Sequence, residues 1–182
     1  MSTDPFQNAL RHTLGIEGAF SDDQADSGGA TKWGITEFVA RAFGFTGLMQ
    51  NLPLSLAQQI YRKNYWDLLN LDLIAELSAD VAAELFDTAV NCGVGFAGKS
   101  LQRSLTVFNR NGEDYADLIV DGLIGQMTIV AFRAFLDKRG LDGETVLLRA
   151  LNGLQAVKYI ELAERRSKDE RFVYGWLLNR VT

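Results

Sequence analysis

This chain has little of what most often betrays a mechanism. Among its 182 residues there is one cysteine, Cys92, which excludes an intramolecular disulfide and leaves no cysteine cluster for zinc. There is one histidine, His12, which falls on the side of the first helical pattern opposite Leu10 and Leu14, where a surface residue is expected. Only two prolines, Pro5 and Pro53, interrupt it, so long stretches of coil are not expected. No run approaches the roughly 20 apolar residues that cross a bilayer, and Met1 to Arg11 lack the basic start and apolar run of a signal peptide. Synthesis in the cytoplasm without a signal peptide and no stable membrane insertion are the expectations. Basic charge is not in excess: 18 Lys and Arg stand against 23 Asp and Glu, a net charge of -5, which argues against a nucleic-acid partner. The local basic group Arg165, Arg166 and Lys168 is interleaved with Glu161, Glu164, Asp169 and Glu170 and reads as a solvated mixed-charge face.

What is present is apolar residues, 47% of the chain, at helical spacing. That is enough for one well-buried core or two small lobes sharing one. The expected class is mainly α. Asp4 before Pro5 predicts a helix over about 5–16, with Phe6, Leu10, Thr13 and Leu14 on one face. Residues 17–36 hold four glycines and no helical period, so a loop or small β element is expected there. Thr36 then caps a helix carrying Phe38, Val39, Ala42 and Phe43, stopped by Gly44. Ser55 and Gln58 have the spacing of a capping box before a helix through Leu56, Ile60 and Tyr61. Ser78 or Asp80 starts another, with Val81, Leu85, Phe86, Ala89 and Val90, broken at Cys92-Gly93-Val94-Gly95. Ala97, Leu101, Leu105 and Phe108 form the next stripe, residues 109–113 a polar loop, and Asp121 to Gly125 a turn before a helix through Ile129, Phe132 and Leu136. Two further helices run through Leu147, Leu151, Leu154 and Val157 and through Phe172, Trp176 and Leu177. These stripes are expected to be core.

The chemistry is sought after the first helix. Glu17 follows Leu14 by three residues on the same apolar face, which aims a carboxyl inward, where desolvation favours the protonated form a general acid needs. Cleaving a glycosidic bond takes such an acid and usually a second carboxylate, for which Asp22, Asp23 and Asp26 are all candidates. The glycines of Gly28-Gly29-Ala30-Thr31 let backbone approach a substrate, Thr31 and Thr36 offer hydroxyls for a water, and Phe20, Trp33 and Trp66 offer faces on which sugars stack. The plain alternative is that the aspartates make a solvated turn. A phosphate-binding loop lacks its lysine and its strand, and a calcium loop lacks its spacing and terminal glutamate. No metal and no cofactor are expected.

The run from Glu17-Gly18-Ala19-Phe20 to Gly28-Gly29-Ala30-Thr31-Lys32-Trp33-Gly34-Ile35-Thr36 resembles the Glu-Gly-Gly-Tyr signature and glycine-rich segment of glycoside hydrolase family 108, the phage-type lysozymes or endolysins, some labelled secretion activators. Ala19 and Phe20 depart from it, and neither removes the acid. Phe86 to Gly95, Leu101-Gln102-Arg103 and Asp121 to Gly125 resemble the predicted peptidoglycan-binding region that accompanies this family. The motifs occur in order over nearly the whole chain.

The resemblance implies a lysozyme-like helical fold, with a catalytic region over 1–88 and a helical peptidoglycan-binding region over 89–182 packed into the same unit. It implies hydrolysis of the β-1,4 bond between N-acetylmuramic acid and N-acetylglucosamine in peptidoglycan glycan strands, with Glu17 as the acid. In phage lysozymes such a Glu is followed by an Asp after eight intervening residues, which selects Asp26, and then by a Thr, for which Thr31 comes one residue early. Phe20, Trp33, Asn91 and Gln102 are the expected substrate contacts. A lytic transglycosylase using Glu17 alone, and a wall-binding or secretion-assisting protein that does not cut, are the competing readings. The family also implies release to the periplasmic wall through a holin pore.

Overall fold

The computed structural model describes residues 4–14 and 30–181 of the chain. Among them are eight α-helices and one two-stranded sheet, a mainly α fold in which the small β element follows the first helix. No helix among the described residues is long and apolar enough to cross a membrane.

α1 (Pro5–Leu14) starts where Asp4 accepts a hydrogen bond from the Phe6 amide at 3.0 Å, and it buries Phe6, Ala9, Leu10 and Thr13. The strands β1 (Thr31–Lys32) and β2 (Ile35–Thr36) form a hairpin around Trp33 and Gly34, both with positive φ. Two such residues match the right-handed twist of a two-residue hairpin. At Gly34 a side chain would strike the Tyr61 hydroxyl, so glycine is needed there twice over. α2 (Glu37–Ala42) is capped by the Thr36 hydroxyl, as expected, and stops at Gly44 with φ 83°. Its inward side is Val39, Ala40 and Phe43, whereas Phe38 is 81% exposed and Ala42 also faces out. Six residues are too few for a helical stripe to be read reliably from sequence.

α3 (Leu54–Tyr61) corrects the expected capping box. Pro53 is the cap, its carbonyl accepting from the Leu56 and Ala57 amides, so Ser55 already lies inside the first turn and Gln58 donates instead to Gln7 at 3.2 Å. The chain then widens into a π-helical turn over Arg62–Trp66 and tightens into a 3₁₀ turn over Asp67–Leu69 before α4 (Leu71–Ala75). α5 (Ala79–Cys92), capped by Ser78 as expected, is the central element: it packs on α1, α4, α6 (Val94–Phe108) and α7 (Gln126–Arg165). Val81, Leu85, Phe86 and Ala89 are fully buried on it, and Phe86 meets the rings of Phe6 and Trp66 edge-on at 5.8 and 5.7 Å. The break between α5 and α6 is one residue, Gly93, at φ 98°.

α7 merges two expected helices into one long run kinked at Gly140 (φ 58°, ψ -148°). Its inner stripe is Leu147, Leu151, Gln155 and Tyr159, at intervals of four, and not Leu154 and Val157, the latter 54% exposed. Buried Gln155 carries the stripe past the point where an apolar pattern loses it. α8 (Glu170–Arg180) lies on α7 as a surface brace, with Trp176 against Tyr159 at 5.4 Å. The mixed-charge face is present there as Arg165–Glu161 and Arg166–Asp169 pairs.

Candidate active site

Of the residues expected to carry chemistry, Glu17, Phe20, Asp22, Asp23 and Asp26 lie outside the described residues. What is described is the frame from which that segment leaves and to which it returns. Leu14, last of α1, lines a cavity of about 620 Å³ between α1, α5, α7 and α8, and Ala30 begins the hairpin, its carbonyl accepting from the Glu37 amide. Thr31 pairs with Thr36 across the hairpin. Trp33 is half-buried beside it: its indole N–H donates to the Leu52 carbonyl at 2.9 Å and Lys32 sits over its ring at 5.0 Å. The ring is thus held by its polar edge. Trp66, weighed for sugar stacking, is 1% exposed and donates to Asp72, so it belongs to the core.

The cavity is walled by α1 through Asn8, His12 and Thr13 and by α5 through Asp80, Glu84 and Asp87. Leu148 and Asn152 of α7 and Asn179 and Arg180 of α8 close it. On α5 the spacing 80, 84, 87, 91 places Asp80, Glu84, Asp87 and Asn91 along one stripe. Asp87 is 7% exposed and satisfied from two elements: Gln155 Nε2 donates to it at 2.9 Å and Arg180 Nη1 at 3.1 Å. Asn91 Nδ2 donates to the Asp87 backbone carbonyl at 2.8 Å, which turns its amide back along the helix, and Asn91 does not line the cavity.

Glu84, half-buried, has no such partner. Among the described residues its one hydrogen bond is from the Thr88 hydroxyl at 3.2 Å, and no cation among them pairs with it. Burial, and after it the nearby Asp87 carboxylate, push its carboxyl up to about 7 against the weaker opposing effect of Thr88. The Cys92 thiol is pushed up to about 12, chiefly by burial and then by Asp87, so it is an unreactive neighbour. The site therefore combines a carboxyl that holds its proton near neutrality with a carboxylate fixed by Arg180 and Gln155. Sequence reasoning missed both; the available signal was the polar stripe along an otherwise apolar helix.

Gln102 is 2% exposed and lies on α6, where it holds the turn before α7: Nε2 donates to Asp121 Oδ1 and to the Leu123 carbonyl, and Oε1 accepts from the Gly122 amide at 2.8 Å. Its amide is spent on this turn, and it takes no part in lining the cavity.

Comparison with known proteins bears on the two halves separately. Residues 10–93 match the model of glycosyl hydrolase 108, and residues 96–181 match that of a predicted peptidoglycan domain. No curated protein matches the chain. Among solved structures it is similar to Brucella abortus SagA, with 24% identity over 97% of this chain and 96% of that one and a TM-score of 0.60, a likeness that speaks for the fold. Residues 10–93 are thus similar to glycosyl hydrolase 108 and residues 96–181 to a predicted peptidoglycan domain, two matches that support a peptidoglycan-related hydrolase or binding role.

Proposed function

We propose that this chain is an endolysin-type N-acetylmuramidase that cleaves the β-1,4 bond between N-acetylmuramic acid and N-acetylglucosamine, with Glu17 as general acid. The observation that carries the reading is the cavity that runs along α1 to its last residue, Leu14, walled by α1 and α5 of the part that matches a glycosyl hydrolase and closed by α7 and α8 of the part that matches a peptidoglycan domain. Glu17 follows Leu14 of the cavity wall by three residues, a reach of about 11 Å at most. A volume of about 620 Å³ is in the range of sites that enclose small organic ligands.

In this reading Glu17 gives its proton to the glycosidic oxygen as the bond to C1 of the muramic acid breaks. Water adds to C1 and its proton leaves to a carboxylate, so one water is consumed per cut. Asp26 supports the positive charge that develops at C1 or the attacking water, and Thr31 positions that water. Phe20 and Trp33 present ring faces to the sugars, and Asn91, outside the cavity lining, offers its amide from α5. Gln102 serves by holding its turn. The regions 1–88 and 89–182 act as one unit, supported by the Asp87 bonds to Gln155 and Arg180 across the boundary. The protein works on the periplasmic wall after release through a holin pore.

The test is mass spectrometry of soluble products from isolated murein, with wild type beside Glu17→Gln. Muropeptides with reducing ends from the wild type alone are expected. Anhydro ends would make the protein a lytic transglycosylase, in which the sugar's 6-hydroxyl replaces water. No fragments from either protein, with murein still sedimenting it, would leave a binding protein.

A further inference from the structure

We propose that Glu84 is a second carboxyl of the glycan site, reaching from α5 into the cavity between α1, α5, α7 and α8 to hydrogen-bond a sugar of the bound strand. The inference rests on the glycan reading above and adds to it a substrate contact that neither the signature around Glu17 nor the aspartates after it contain.

Three observations carry it. First, Glu84 lines the cavity beside Thr13 and Leu14, the last turn of the helix that leads to Glu17. Second, the protein treats two neighbouring carboxyls differently. Asp87 receives Arg180 and Gln155, whereas Glu84, one turn earlier on the same face, receives only a hydroxyl among the described residues. Burying a carboxyl without a cation costs stability, and a glutamine or leucine of similar size would avoid the cost. Such a group is retained at the expense of the fold where it meets a ligand. Third, the cavity offers the chemistry of an uncharged sugar. Asn8, Asn152 and Asn179 line it, the Nδ2 groups of Asn152 and Asn179 donating to carbonyls one turn back and Asn8 Oδ1 accepting from Arg11, and its one strong cation among the described residues, Arg180, is already engaged by Asp87. Sugar hydroxyls and acetamido groups are met by neutral donors and acceptors; a phosphate or a peptide carboxylate would require an unengaged cation.

Burial first, and then Asp87, push the Glu84 carboxyl up to about 7, so that near neutral pH it is partly protonated. The protonated form is a donor to a hydroxyl or acetamido oxygen, and the ionised form is not. The groups that face it are His12 on α1, Asp80 and Asp87 on α5, and Arg180 on α8; α7 contributes Leu148 and Asn152, which carry no charge. Farther along α5 and α7, Cys92 and Tyr159 are both held in their neutral forms by burial. Binding should therefore weaken as pH rises through the Glu84 transition.

The experiment uses the full chain carrying Glu17→Gln, so that nothing is cut, and a tetramer of N-acetylglucosamine as probe, titrated by calorimetry at pH 6 and pH 8. Expected is an affinity about tenfold lower at pH 8, following the protonated fraction of a group titrating near 7. Adding Glu84→Gln, which keeps a donor and cannot ionise, should abolish the pH dependence and hold the pH 6 affinity. Adding Glu84→Leu should weaken binding about tenfold at both values while leaving the melting temperature no lower. His12→Gln is the control and should keep the dependence on pH. Unchanged affinity and pH profile in both Glu84 variants would overturn the role of Glu84 and leave the glycan reading standing. No binding by any protein, together with no murein fragments from the wild type, would overturn both.

Discussion

Glu84 has a consequence for stability as well as for binding. Its carboxyl is held well above its ordinary value in the fold and returns to about 4.5 in the unfolded chain. Between those values the folded state keeps a proton that the unfolded state has lost, so stability falls as pH rises through this window. The loss is complete above pH 7, at about 3 kcal/mol at most by the size of the shift. Glu84→Gln should therefore stabilise the protein by on the order of 2 kcal/mol at pH 8 and by nothing measurable at pH 4, read from urea denaturation at the two values. An equal gain at both would mean that packing, not ionisation, accounts for it. Asp87 is the contrasting residue. Asp87→Ala strips the partner from Arg180 and from buried Gln155 and should cost on the order of 2 kcal/mol, measured in the same way.

At the scale of elements, the long stripes are the ones whose residues told most. α1, α5 and α6 each repeat an apolar residue every three or four positions over at least two turns, and each buries that face. The caps at Asp4, Thr36 and Ser78 were legible because a short acceptor before a helix has few other uses. α2 is too short for its face to be set by periodicity, and at α3 the proline took the cap that serine and glutamine spelled out. On α7 the buried face runs through Gln155, a residue whose type points to solvent until its carboxylate partner is known. The approach of α6 to the turn before α7 is another contact between elements with no sequence period. A Cβ on Gly98 would overlap the Gly122 carbonyl, so Gly98→Ala should destabilise the protein by about 1–3 kcal/mol. A melting temperature equal to the wild type's would show that the turn can move aside without cost.

Over the whole molecule, the two matched regions share one core. Leu85 and Ala89 of α5 are fully buried in a helix that packs against α6 and α7, and Asp87 on the same helix is held by Gln155 and Arg180. A piece ending at residue 93 would expose that face of α5 to water. It should show no cooperative thermal transition, whereas the full chain should unfold in one step by calorimetry. A half that melts cooperatively by itself would mean two independent units. The sequence alone determined the helical class and most of the apolar faces, because periodic burial of side chains is written in residue order. It also marked the segment around Glu17 as the place to seek chemistry, because an acid, aspartates and glycines stand together there. Tertiary structure alone decided that Glu84 and Asp87, neighbours on one helix, have opposite environments. Burial and the reach of Arg180 from nearly a hundred residues away are products of packing, and no local pattern encodes them.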